Sequence, residues 1–242
     1  MNNCRLTPRA FATITRIETK VWLRDPVAAG MCLVFPVGYI LLITAMNEEL
    51  SADYMVAPVL GIAMAMPTVN MLPASFGLFR EKQILRRFHA TPMRPQVLLG
   101  AHFVITFVAA VLSGVLALTA AQLAFGLTAP ESLGLVVLGY GLGLAAMLAL
   151  GTLIAAVVPR ASVGTGIGMI TFFVSIILAG AMTPNGLTGA LGQIGRLAPL
   201  GAATGTMSYG LTGGTFPVVE VIAMVAWTLV LAPTAVKAFR WS

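Results

Sequence analysis

Six apolar runs alternate with short polar connections along the chain, covering about 27–46, 54–79, 97–125, 133–158, 163–183 and 218–236. Each is near the roughly 20 residues that a helix needs to cross a hydrocarbon core of about 30 Å. None shows the strict alternation of a membrane barrel strand. Lipid offers the backbone no hydrogen-bond partner, so each run is expected to be helical. The pattern therefore predicts an all-α integral membrane protein with six transmembrane helices, a single domain over residues 1–242.

Two stretches add to this plan. Residues 7–24 predict a helix lying along the membrane surface. Thr7 suits the cap and Pro8 the first turn. Arg9, Thr13, Arg16, Lys20 and Arg24 share one face, while Phe11, Ile14, Ile17 and Val21 share another with Trp22 at its edge. A basic face opposite an apolar one fits a headgroup interface. The 34-residue connection from Pro184 to Pro217 is the longest, and its stretch from Leu187 to Leu200 is apolar but broken by Gly and Pro. A segment of that kind, too short to span, predicts a re-entrant piece before the last span.

Composition sharpens the class. Hydrophobic residues make up 58% of the chain and charged ones 9%, against roughly 25% charged in a soluble domain. The mean hydropathy is +0.95. A net charge of +6 does not point to nucleic acid here, because the bases flank apolar spans instead of covering a folded face. Cys4 and Cys32 fall in different environments, so no disulfide framework is expected. The charged N-terminal stretch is too long for a signal peptide, and no clear cleavage site follows it.

Charge also sets the expected topology. With both termini in the cytoplasm, 13 of the 14 Lys and Arg fall on the inner side and Arg196 alone falls outside. Glu48, Glu49, Asp53, Glu131 and Glu220 then lie outside. Five of those bases sit in the segment from Phe79 to Pro95. Within it, Ile84, Leu85 and Phe88 form one apolar patch at helical spacing, ringed by Arg80, Lys82, Arg86 and Arg87. Thr91-Pro92 ends that helix, because the residue before a proline avoids helical geometry. Such a helix either rests on lipid or docks in a groove of a soluble partner.

A family resemblance favours the second use. Arg80-Glu81-Lys82, Leu85-Arg86-Arg87 and Ala90-Thr91-Pro92 resemble the loop between spans two and three of ABC-2 type transporter permeases. The resemblance extends over the whole chain, and Ala198-Pro199-Leu200 followed by Tyr209-Gly210 is similar to the family's segment before the last span. Gln83-Ile84 stands where the family usually has Gly-Thr, and no Arg follows Pro199-Leu200 closely. The resemblance implies the membrane subunit of an ATP-driven exporter in the plasma membrane, paired with a second copy or a similar permease. It assigns ATPase coupling to Glu81, Ile84, Leu85, Arg86, Arg87 and Phe88. ATP and magnesium are expected on a separate ATPase chain, since none of the three lysines Lys20, Lys82 and Lys237 follows a glycine and a Walker A loop needs that pair. No cofactor is expected in this chain.

Candidate chemistry is sparse. Gly164-Thr-Gly-Ile-Gly168 lacks the strand that precedes a dinucleotide loop, and the Gly139/Gly143 and Gly164/Gly168 pairs instead predict close helix approach. His102 reads as a packed, hydrogen-bonded residue, and no nucleophile or metal constellation indicates an enzyme. A secondary transporter is expected to carry ionisable groups at mid-membrane, and the span centres have almost none. Asn70 lies deep in span two, where an amide faces protein or water and not lipid. Ala63, Met66, Asn70, Ala74 and Gly77 share its expected face. Since spans two and five resemble walls of the family's substrate path, Met66, Asn70, Thr171 and Ser175 are the candidate path residues. The methionines suit a lipophilic substrate of varied shape.

Overall fold

The computed structural model describes residues 8–46, 52–83, 95–181 and 187–238, which form helices and connections with no strand among them. A helix α1 (Pro8–Arg24) leads into α2 (Pro26–Met46). The second span is composite: α3 (Ala52–Ala65), a π-helical turn (Met66–Met71) and α4 (Leu72–Glu81). Then come α5 (Pro95–Phe125), α6 (Leu133–Val157), α7 (Ala161–Leu178), the short α8 (Gly189–Leu197) and α9 (Pro199–Thr212), and α10 (Val218–Ala238). Six helices are long and apolar enough to cross a membrane, as the hydropathy pattern predicts. Thr7, the expected cap of α1, lies outside the described residues. The chain turns from α1 into α2 at Asp25, whose carboxylate accepts the Val27 N–H (3.1 Å) while Pro26 occupies the first helical position.

The second span is the centre of the bundle. Of its most apolar stretch 89% is buried, against 17–39% in the other five spans. Its π turn has a local cause. Pro67 brings no N–H, and the Leu72 N–H reaches back five residues to the Pro67 carbonyl. The Thr68 hydroxyl donates to the Met64 carbonyl at 2.7 Å, with the Ala65 carbonyl also within reach at 3.0 Å. Glycines let neighbouring helices reach this irregular backbone. A Cβ at Gly151 would strike the Thr68 carbonyl, one at Gly168 the Val69 carbonyl, and one at Gly164 the Pro73 carbonyl. The expected close approach at Gly164/Gly168 is therefore onto the second span. Gly139 and Gly143 instead receive α9, meeting Met207 and Ala203.

Four side chains tie helices together through backbone carbonyls. Ser113 donates to Cys32 O (2.6 Å), Tyr140 to Ala110 O (2.7 Å), Tyr39 to Ala181 O (2.6 Å) and Trp227 Nε1 to Leu197 O (2.7 Å). Between apolar helices in lipid, such bonds and close packing supply what the hydrophobic effect cannot. The α9 helix is buried among the spans through Leu200, Ala202, Ala203 and Met207. Leu191, Ile194 and Leu197 of α8 point outward.

The structure departs from the sequence pattern in three places. The fifth span ends at Leu178 although the apolar run continues to 183. Gly180 takes φ +72° and the Gly180 and Ala181 N–H groups return to Ile177 O and Ile176 O, a Schellman stop that apolarity does not reveal. On α1, Trp22 is buried, Phe11 and Ile14 are half-buried, but Ile17 and Val21 are exposed. The apolar face thus splits, one edge packing on α5 and the other left outward. The expected face of span two also breaks, because the wide π turn rotates α4 relative to α3: Gly77 meets the Arg160 carbonyl, while Ala63 is fully buried.

Candidate coupling and transport site

Helix ends leave backbone groups without intrahelical partners, carbonyls at the C-terminus and N–H groups at the N-terminus. The α6–α7 turn presents both, and the base of the second span answers both. Arg80 Nη1 donates to the carbonyls of Ala155 (2.5 Å) and Val158 (2.6 Å), and Nη2 to that of Ala156 (3.0 Å). The guanidinium is a fork of donors and a cation at the negative end of the α6 dipole. The next residue reverses the sign. Glu81 Oε2 accepts the Ala161 N–H (3.3 Å) at the start of α7, where a carboxylate meets the positive end of that dipole. Gly77, one turn earlier, allows the Arg160 backbone against the helix.

Of the expected coupling residues, Glu81 is therefore held by its own chain's α7. Ile84, Leu85, Arg86, Arg87 and Phe88 lie outside the described residues. The clamp was not legible in the sequence, because the carbonyls that Arg80 reaches are 75 to 78 residues away. A base adjoining an acid at the end of an apolar span is the only local hint.

A cavity of about 480 Å³ opens between α1, α2, the second span, α5 and α7. It brings together Met66 and Asn70, two of the expected path residues, with Ala74 of the same predicted face. Their spacing of four suits the wide turn. Asn70 is half-buried and its Nδ2 has no hydrogen-bond partner. Thr171 and Ser175 are half-buried farther along α7 and do not line this cavity; Thr165 and Met169 do.

His102 forms part of the same wall. It is buried at 4% exposure and packs edge-on to Phe76 and against Phe79, with ring centroids at 5.5 and 5.0 Å. It is packed, as expected, but not hydrogen-bonded: neither ring nitrogen has a partner within bonding distance. Its Nε2 stands 3.6 Å from Glu18 Oε2. Burial pushes the Glu18 carboxyl above its ordinary range. At the opposite end of the bundle Arg196 binds Glu220, Nε at 2.8 Å and Nη2 at 2.7 Å. Glu220 is 2% exposed, and its hydrogen bond and charge raise the Arg196 pKa. The sequence put these two on one side of the membrane without showing that they pair.

Two comparisons bear on the whole chain. A family model described as ABC-2 family transporter protein matches residues 33–236. No curated protein matches the chain.

Proposed function

Since this chain belongs to the ABC-2 transporter family, with the match running over residues 33–236, we propose that it is the permease subunit of an exporter driven by a separate ATPase chain. Two copies, or one copy with a similar permease, form the pore. The end bearing Arg24, Arg80, Arg160 and Lys237 faces the cytoplasm, in accord with the positive-inside rule. There α1 rests in the interface with Ile17 and Val21 toward lipid, and the α8–α9 segment enters the membrane from the other side. The substrate is lipophilic and passes Met66 and Asn70, with Thr171 and Ser175 farther along α7.

The observation that carries this reading is the Arg80–Glu81 clamp. The expected coupling helix does not begin at Arg80: α4 ends at Glu81 and Gln83 takes φ +52°, so a loop beyond Glu81 that an ATPase pushes has a rigid connection only if its root is fixed to the spans. Here the root grips the end of α6 and the start of α7 together. Closure of two ATPases then moves the second span and the α6–α7 hairpin as one body, turning the cavity from inward to outward access. Ile84, Leu85 and Phe88 enter a groove of the ATPase, and Arg86 and Arg87 set the register at its rim.

Apolar anchors carry most of the energy of such docking, while rim charges set orientation and rate. Phe88→Ala should therefore weaken ATPase co-purification by roughly 2 kcal/mol and Arg87→Ala by under about 1. The chain purified alone should hydrolyse no ATP. Full binding and full transport by both Phe88→Ala and Leu85→Ala would move the coupling role elsewhere.

A further inference from the structure

The cavity beside α1 is chemically uneven. Its lining includes two acids, Glu18 and Asp25, and no lysine or arginine. Three of its lining residues carry buried nitrogens without hydrogen-bond partners: Trp22 Nε1, Asn70 Nδ2 and both ring nitrogens of His102. Trp22 and His102 are more than nine-tenths buried, at 8% and 4% exposure. Elsewhere among the described residues, only Thr44 and Thr106 have buried side-chain polar atoms without hydrogen-bond partners. The clustering thus marks one place. Leaving a buried donor unpaired costs about 1–3 kcal/mol each, so a ligand that supplies acceptors recovers that loss.

We propose that this cavity binds an amphiphilic organic cation bearing at least one hydrogen-bond acceptor. The proposal rests on the path reading above and names its substrate class. Each wall selects one part of such a molecule. Glu18 and Asp25 face the positive charge, and Trp22 and Phe79 line the same cavity with aromatic rings of the kind that attract cations. Met66, Met71 and Met169 adapt to an apolar body of varied shape. The Trp22 and Asn70 N–H groups, and the single N–H of a neutral His102, donate to carbonyl or ether oxygens. An anion would meet two carboxylates, and a pure hydrocarbon would leave every nitrogen unpaired. A volume of about 480 Å³ lies within the usual range of small-molecule sites.

The test uses the detergent-purified chain with no ATPase. Rhodamine 6G, a lipophilic cation with an ester carbonyl, serves as fluorescent probe. Tetraphenylphosphonium and tetraphenylborate, nearly the same shape with opposite charge, serve as competitors. The probe should bind saturably and be displaced by the phosphonium and not by the borate. Glu18→Gln should weaken binding roughly tenfold or more, the loss of one half-buried charge contact. Glu18→Asp, which keeps the charge, should retain most of the affinity, and Glu131→Gln, away from the cavity, all of it. Equal displacement by both ions would overturn the cation class and leave the permease assignment standing, as would equal losses in Glu18→Gln and Glu18→Asp. In vesicles that also hold the ATPase, selective cation binding without ATP-driven transport of the probe would keep the site and remove it from the transport path.

Discussion

Arg80 and Glu81 are neighbours in sequence and serve opposite helix ends. Their value depends on number and geometry more than on charge alone. Removing the guanidinium leaves the Ala155, Ala156 and Val158 carbonyls without its donors at a half-exposed site, a cost of about 1–2 kcal/mol. Arg80→Ala should therefore retain the ATPase on co-purification yet lose most transport, with ATP hydrolysis continuing uncoupled. Arg80→Lys should recover part of it, because an ammonium cannot span three carbonyls as a planar fork does. Transport at the wild-type rate by Arg80→Ala would show that the clamp is not in the coupling route. At this scale the sequence was partly legible. Asn70 announced itself as an amide where lipid tolerates none, and it lines the cavity. His102 was legible as a packed residue but not as an unpartnered one, since its neighbours Phe76, Phe79 and Glu18 come from two other helices.

Among the helices, small residues decide which surfaces can meet. The Gly164/Gly168 spacing was legible as close approach, but the surface approached was not. It is the π turn, whose width no propensity scale encodes. Gly166, between them, meets nothing within 4 Å, whereas a Cβ at Gly168 would strike the Val69 carbonyl. The two glycines make a matched pair on one helix. Gly168→Ala should lower the thermal stability of the purified protein, by roughly 1–3 kcal/mol for overpacking against backbone that cannot yield. Gly166→Ala should leave it unchanged or raise it by up to about 1 kcal/mol, the helix propensity gained over glycine. Equal melting temperatures for the two variants would contradict the packing described. Hydropathy likewise cannot see the end of α7, because Ala179-Gly180-Ala181 carries no polar side chain to break the apolar run. The glycine conformation stops the helix.

The molecule as a whole was most legible in its span count, because that stems from the cost of placing ions and bare backbone in hydrocarbon. Cysteines replacing Glu49 and Glu131 should label from outside intact cells, and one replacing Arg87 only from inside. Labelling of position 87 from outside would refute the proposed orientation. Which span is central was not legible. The enclosed second span has a mean hydropathy of 1.7, the others 1.9 to 2.4, a difference too small to separate protein-facing from lipid-facing surface. That enclosure has a consequence for biogenesis. The second span leaves the ribosome early, but the glycines that receive its π turn belong to α6 and α7. Until those helices are synthesised, an irregular turn with displaced carbonyls waits among lipids or insertion factors. A truncation after α5 should therefore leave the second span without the glycine faces that cover its π turn.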